Sequence, residues 1–214
     1  TPKQLIEMMQ GNRLDLIYIL DRPRHSDRWN KVMETEEPIV FAASAKSDLA
    51  KRRRIALREL LDRPFLLTER NENYRRELDH YLESKGMEIT PFLEISNTEF
   101  IIRMIERDRG ISYLPRFAVQ ESVDAGRLCI LDVPEFQKSL YRQMFYHTNK
   151  WKTPEMEEFI RLAGQDGKCF EEVLYLSGFG KYLMLRLMDI PEIMSVGTAD
   201  DIGFLEVGML FCEA

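Results

Sequence analysis

The chain has 214 residues, which is enough for one large domain or two smaller lobes. Its formal net charge of −6 argues against a surface that binds nucleic acid, and no apolar run is long enough to span a membrane. Three widely spaced cysteines, an odd number, argue against a disulfide framework or a metal knuckle and fit a reducing, cytoplasmic setting.

Helices and strands alternate along the predicted chain. Apolar residues at i, i+3 and i+4 indicate helices, and short uninterrupted apolar runs indicate strands covered on both faces. Such alternation is typical of an α/β fold with a mostly parallel sheet and helices on both faces. The predicted helices are Pro2–Gln10, Leu57–Leu61, Asn73–Lys85, one from Ser96 to Gly110, one from Pro115 to Ala125, one from Pro154 and Lys181–Met188; the predicted strands are Leu16–Leu20, Pro38–Ala43, Pro64–Leu67, Phe92–Ile95, Ile111–Leu114, Leu128–Val133, Tyr141–His147, Val173–Leu176 and Leu205–Phe211.

One helix start carries the sequence pattern of a capping box. Ser96 is followed three residues later by Glu99, and Asn97 and Thr98 lie between them. The spacing predicts that Ser96 is the N-cap and that Glu99 reaches back to its backbone. The inner face of this helix is expected to bury Phe100, Ile101, Met104 and Ile105.

Residue patterns for catalysis are weak. His25, His80 and His147 have no metal-ligand spacing to one another or to a cysteine. The pairs Glu36–Glu37 and Glu171–Glu172 are adjacent, so their side chains point to different faces and make poor acid and base partners. We therefore expect neither an enzyme nor a bound metal or cofactor.

Several stretches of the chain resemble the effector-binding domain of LysR-type transcriptional regulators. The clearest is Glu94–Val119, with Glu-Ile-Ser-Asn-Thr-Glu-Phe followed by Arg-Gly-Ile-Ser-Tyr-Leu-Pro-Arg-Phe-Ala-Val. Gln4–Leu20, Leu60–Leu67 and Ala125–Leu128 resemble further segments of the family, so the resemblance covers residues 1–163. It implies a two-lobe fold similar to type 2 periplasmic binding proteins, in which each lobe is a mostly parallel sheet flanked by helices.

The family's first strand, first helix and second strand have no counterpart in residues 1–163. Val173–Leu176, Gly180–Met188 and Leu205–Phe211 resemble these three elements, and the last of them leads into Thr1. The domain is therefore predicted to be complete but circularly permuted, with a new join at 164–167. The implied lobe I covers 1–44, 142–163 and 168–214, the implied lobe II covers 45–141, and crossover strands near Ile39–Ser44 and Lys138–Tyr146 join them.

The resemblance also implies an effector site between the lobes, where helix N-termini converge. Free N–H groups and the helix dipole make such termini suitable for anions. Family contacts carry over by position to Ser177, Thr1 and Tyr74, and Arg70 would add a positive charge for a carboxylate. The predicted effector-binding residues are Ser177, Gly178, Phe179, Thr1, Arg70, Asn71, Asn73, Tyr74, Ser96, Asn97 and Thr98.

Structural roles compete with these assignments. Ser96 is also explained by capping alone, and Tyr74 has the helical spacing to Leu78 that core packing requires. Asn71 and Asn73 are residue types often found at helix entries. The basic run Lys51–Arg54 would suit DNA phosphates or simply a solvated loop.

The function implied by the resemblance is ligand sensing in transcription regulation. A small, anionic metabolite would bind, shift the population of lobe arrangements, and alter DNA binding by an N-terminal winged helix-turn-helix outside this chain. A homodimer or higher homo-oligomer is implied, and DNA contact only through that N-terminal domain. Two alternatives stay open at this point: a solute-binding protein of a transporter with the same fold, and an enzyme on a related scaffold.

Overall fold

The computed structural model describes residues 2–154, 156, 157, 160, 161 and 182–185. Helices and strands alternate in it, which confirms the α/β class. The helices are α1 (Pro2–Gln10), α2 (Leu57–Leu60), α3 (Asn73–Ser84), α4 (Thr98–Glu106) and α5 (Arg116–Asp124), with a 3-10 helix at Asp48–Lys51 and helical backbone at 154, 156, 157, 160 and 161. The strands are β1 (Leu16–Asp21), β2 (Trp29–Ser44), β3 (Leu66–Leu67), β4 (Leu93–Glu94), β5 (Ile111–Pro115), β6 (Leu128–Leu131), β7 (Lys138–His147) and β8 (Tyr182–Leu185).

The chain divides into two compact units. Unit 1 contains Leu20–Pro23 and Thr35–Tyr141. Unit 2 contains Pro2–Ile19, Arg24–Glu34 and the described chain from residue 142 onward. Strands β1, β2 and β7 therefore each have residues in both units. The lobe boundaries proposed from the sequence stay a prediction.

The strands of unit 1 combine parallel and antiparallel pairs. β3 and β4 are parallel, and a parallel bridge joins Phe65, just before β3, to Ile111 at the start of β5. β5 and β6 pair antiparallel with the same stretch of β2, 39–44. The parallel arrangement expected from the sequence thus describes β3 to β5, and the long strand β2 adds the antiparallel pairs.

Aromatic rings form the centre of the unit 1 core. The Phe41 ring lies 4.7 Å from Tyr113, 6.2 Å from Phe136 and 6.4 Å from Phe65, between ring centroids. Tilted and edge-on contacts at these distances are favourable for aromatic pairs. Helices α3 and α4 bury Leu78, Leu82, Ile101 and Ile105 against this core.

Two aromatic residues lie further out than the sequence predicted. Phe100 is 45% exposed and Phe92 is 70% exposed, and strand β4 is only Leu93–Glu94. On α4 the buried stripe consists of Ile101 and Ile105, which are four residues apart. Phe100 precedes that stripe by one residue and so points about 100° away from it.

Gly110 permits the tight return from α4 to β5. Its φ is +149°, and a Cβ there would lie 2.3 Å from the carbonyl oxygen of Pro64. The next residue, Ile111, donates its backbone N–H to that same oxygen at 2.9 Å. Only glycine fits this conformation beside this backbone.

In the described part of unit 2, helix α1 packs against a sheet. The described strands follow the order β2, β7, β1, β8. All six residues of β1 are buried, as expected for a strand covered on both faces. Helix α1 packs on β1, and the shared core consists of Leu5, Ile6, Met9, Leu14, Ile17, Ile19 and Phe145.

Strand β8 corrects a helix that was predicted over Lys181–Met188. Tyr182–Leu185 pairs antiparallel with β1, with Ile19 opposite Tyr182. An apolar run this short does not distinguish a buried helix from a strand, and the free edge of β1 favours the strand because it satisfies backbone groups. The predicted strands at 173–176 and 205–211 and the join at 164–167 lie outside the described residues.

Candidate functional site

The described part of the predicted site lies in unit 1, where β3 and β4 end. Parallel strands bring their carboxyl ends to one edge of a sheet, and ligands commonly bind there. Thr68 follows β3 directly, and helices α3 and α4 start a few residues after β3 and β4. The Tyr74 hydroxyl on α3 interacts with both Thr68 and Thr98, so the strand end and the two helix starts converge.

Tyr74 is almost completely buried, with 1% of its surface exposed. Its ring meets Tyr113 edge-on, with 6.5 Å between centroids. Burial raises the pKa of Tyr74 well above its ordinary value of 10.0, and the nearby Glu72 carboxylate raises it further. The hydroxyl therefore stays protonated and serves as a neutral donor or acceptor.

Two further hydroxyls lie beside that of Tyr74. Among the described residues, neither Thr68 Oγ1 nor Thr98 Oγ1 makes a hydrogen bond of normal geometry, although both are buried. Such groups cost free energy unless they find partners. The cluster therefore has spare hydrogen-bonding capacity at the point where the two helices begin.

Arg75 fixes the backbone beneath this cluster. It is 1% exposed and donates from Nη1 to the Thr68 carbonyl oxygen at 3.0 Å. Its charge is balanced by Asp79, with Nε to Oδ1 at 2.9 Å, and more weakly by Glu94 at 3.6 Å. Sequence reasoning missed Arg75 and Thr68, although a polar residue directly after a buried strand was a usable signal for Thr68.

Helix α4 is capped by Asn97, which corrects the predicted capping box. Asn97 Oδ1 accepts the Phe100 N–H at 2.8 Å, whereas Ser96 is exposed and Glu99 binds Arg103. The helix begins at Thr98, so Asn97 is the residue whose side chain reaches the third helical amide. Asparagine and serine cap helices about equally well, so the position of the first turn decides between them.

Helix α3 begins without a side-chain cap. Its N-cap residue is Glu72, whose side chain makes no capping hydrogen bond. The preceding residues Arg70 and Asn71 are exposed, and Arg70 makes no ion pair with a described residue. A helix start that has no side-chain cap and lies next to a cation is suited to an anion.

Asn73, the first residue of α3, lies in a different environment. It is 6% exposed, donates from Nδ2 to the Leu20 carbonyl oxygen at 3.1 Å, and accepts a bond from Arg76. The other predicted contacts, Thr1, Ser177, Gly178 and Phe179, lie outside the described residues. Within the described chain, no group of three His, Cys, Asp or Glu side chains is arranged to hold a metal, and no helix is long and apolar enough to cross a membrane.

Unit 2 contains a separate cavity of about 450 Å³ whose lining includes Met9 and Trp151. Lys150 lies on its wall, but the ammonium is paired with Asp15 and donates to Asn12 Oδ1 at 2.9 Å. Its charge is thus already balanced. The cavity is therefore a less favourable binding site for an anion than the start of α3.

Curated proteins that this chain resembles are named as transcription regulators. It is 26% identical over 158 residues to the HTH-type transcriptional activator CmpR of Synechocystis sp., covering 74% of this chain and 52% of that protein. It is 27% identical over 169 residues to the RuBisCO operon transcriptional regulator of Acidithiobacillus ferrooxidans, covering 77% and 54%. The chain thus spans about half the length of the curated relatives it matches.

Solved structures share the fold. The CcmR regulatory domain of Synechocystis PCC6803 in complex with 2-PG has a TM-score of 0.61 at 22% identity, covering 75% of this chain and 77% of that chain. The effector-binding domain of QuiR in complex with shikimate has a TM-score of 0.59 at 17% identity, covering 78% of each chain. The fold is that of the type 2 periplasmic binding proteins.

The family model for the LysR substrate binding domain matches residues 1–168, well over half of the chain. This family consists of transcriptional regulators rather than enzymes. The chain therefore belongs to the LysR substrate-binding domain family.

Proposed function

We propose that this chain is the effector-sensing part of a LysR-type transcriptional regulator. It binds a small, anionic metabolite and passes the signal to a winged helix-turn-helix elsewhere in the regulator. The family match over residues 1–168 is the observation that carries the proposal. It favours a regulator over a transporter's solute-binding protein, because the matched relatives are named as HTH-type regulators.

The effector contacts in unit 1 are proposed to come from the start of α3 and from the hydroxyl cluster. Arg70 supplies a positive charge without an ion-pair partner among the described residues, and Asn71 adds a polar side chain beside it. Tyr74 and Thr98 supply hydroxyls, and Ser96 and Asn97 border them at the start of α4. Thr1, Ser177, Gly178 and Phe179 are proposed to complete the site.

A carboxylate or phosphate is the ligand group that these residues suit best. The start of α3, which has no side-chain cap, and the Arg70 guanidinium favour a negative charge. Shikimate, a carboxylate, is bound by the structurally similar QuiR domain. Which anion this chain binds is a matter for direct titration.

Signal transfer is proposed to follow a population shift. An effector that binds one arrangement of the regulator more tightly than another changes the equilibrium between them, and only through that difference in affinity. The regulator is proposed to act in the cytoplasm as a homodimer or higher homo-oligomer. Contact with DNA belongs to the helix-turn-helix domain, so this chain alone should not select a DNA sequence.

The test is a calorimetric titration of the chain with shikimate, 2-PG, inorganic phosphate and a panel of metabolic carboxylates. At least one anion should bind, and Arg70→Gln should weaken it about tenfold by removing a charge-assisted hydrogen bond. Arg107→Gln is the matched control, because Arg107 is also exposed and unpaired among the described residues but lies at the far end of α4. Tight binding that both variants leave unchanged would refute this site.

A further inference from the structure

Two side chains of α3 hold the chain segment that follows the unit 2 part of β1. Asn73 Nδ2 donates to the Leu20 carbonyl oxygen at 3.1 Å. Glu77 Oε1 accepts from Arg22 Nε at 2.9 Å and also from Arg22 Nη2. Asn73 and Glu77 are four residues apart and so share one face of the helix. The segment Leu20–Pro23 belongs to unit 1, as does α3.

The two contacts differ in their surroundings. The bond from Asn73 to Leu20 is buried. The Arg22 side chain is 71% exposed, while that of Glu77 is only 21% exposed. Salt therefore screens the ion pair, whereas the buried neutral bond is insensitive to salt.

Both ends of the Asn73 carboxamide are already engaged. Its nitrogen donates to Leu20, and its oxygen accepts a bond from Arg76 Nη2. These contacts fix the position of the first residue of α3, the helix whose start has no side-chain cap.

We infer that Asn73 and Glu77 form a clasp on Leu20–Arg22, and that Asn73 is a positioning residue for the effector site rather than an effector contact. The assignment rests on the proposed function in one respect, because it takes the start of α3 to be part of that site. The clasp keeps the first amides of α3 in place for the anion. The ion pair limits how easily the segment separates from the helix.

The clasp is tested without a ligand, by NMR on the 15N-labelled 214-residue chain. Glu77→Gln removes the charge of the carboxylate and should speed hydrogen exchange of the Arg22 Nε–H about tenfold or more, as a lost charge-assisted bond implies. Because the two contacts hold the same segment, exchange of the Asn73 carboxamide protons should also rise. Glu83→Gln is the matched control, since Glu83 is exposed on the same helix and its carboxylate has no partner among the described residues.

Rising salt should speed Arg22 Nε–H exchange in the unmodified chain and have little further effect in Glu77→Gln. The inference is overturned if Glu77→Gln leaves the Asn73 carboxamide unchanged, because the two contacts then act independently. It is equally overturned if Arg22 exchanges in the unmodified chain as fast as the exposed Arg53. Since no ligand is needed, failure to find a binding anion would refute the proposed function and, with it, the positioning role of Asn73, while the clasp itself would still stand.

Discussion

Helices α3 and α4 both start at the candidate site, yet their first turns are built differently. Asn97 caps α4 through the amide of Phe100, so one of the free N–H groups of that helix is already satisfied. Helix α3 has no side-chain cap, and its first residue, Asn73, is held from the side by Leu20 and Arg76. The local sequence thus stabilises the start of α4 itself, whereas the start of α3 depends on contacts from outside the helix.

This difference separates a structural helix start from one suited to a ligand. A side-chain cap contributes about 1 kcal/mol of stability and occupies the donor that an anion would use. Helix α3 lacks that contribution and relies on tertiary contacts for its position. We therefore expect substitutions at α4 to affect mainly stability and substitutions around α3 to affect mainly binding.

The largest expected effect concerns the glycines that follow the two helices. Gly110→Ala, after α4, should lower the free energy of unfolding by about 3 kcal/mol or more, because a Cβ would meet the Pro64 carbonyl oxygen. Gly86→Ala, after α3, should cost only about 1 kcal/mol, since its φ of +65° is unfavourable but the space is open. Urea denaturation measures the free energy of unfolding of both variants. Equal decreases would show that residue 110 does not lie tightly against the Pro64 carbonyl oxygen.

At the start of α4, Asn97→Ala should cost about 1 kcal/mol of unfolding free energy by removing the cap. Ser96→Ala is the matched control and should change stability by less than about 0.5 kcal/mol, as exposed substitutions usually do. The same denaturation curves decide the matter. If Ser96→Ala lowered the free energy of unfolding more than Asn97→Ala, Ser96 would be the N-cap, as the sequence predicted.

Removal of the Tyr74 hydroxyl probes the cluster shared by the two helices. Tyr74→Phe should change stability by about 1 kcal/mol or less, as for a typical hydrogen-bonding group. It should also weaken any anion that binds this site by several-fold, measured by calorimetry. Tyr113→Phe is the matched control, because the Tyr113 hydroxyl is buried without a hydrogen bond among the described residues and lies outside the proposed contacts. If the two variants bound the anion with equal affinity, the hydroxyl cluster would not be part of the binding site.

The smallest expected effect is a pH dependence at the end of α4. The Ser122 hydroxyl, followed by the Arg127 guanidinium, holds the pKa of Glu106 below its ordinary value of 4.5. A lowered pKa in the folded state contributes stability above pH 4.5 that is lost as the pH falls through the folded-state pKa. Glu106→Gln should therefore flatten the acid side of a stability profile measured by urea denaturation. An unchanged acid side would show that other carboxylates dominate it.

Much of the fold followed from local patterns in the sequence. The amphipathic spacing of Pro2–Gln10 correctly predicted a helix, and the apolar run at Leu16–Leu20 correctly predicted a buried strand. Tyr182–Leu185 was assigned to a helix because its four apolar residues fit either element, and only pairing with β1 decides. Which strands pair depends on the tertiary structure, and the local sequence does not reveal it.

The site was harder to predict for the same reason. Asn97 and Ser96 are adjacent and cap equally well, so only the position of the first helical turn distinguishes them. Arg75 follows Tyr74 on a charged helix and looks solvated in the sequence, yet it is buried against the Thr68 carbonyl. The contact between Asn73 and Leu20 joins residues 53 positions apart and has no local signal.

The most direct test of the account is an NMR titration of the 15N-labelled chain with the tightest-binding anion of the panel. We expect backbone amide shifts to concentrate at Asn73, Tyr74 and Arg75, with Arg70 and Asn71 beside them. The Phe100 amide, already bonded to Asn97, should move less. Shifts confined to the unit 2 cavity around Met9 and Trp151, with α3 unchanged, would contradict it.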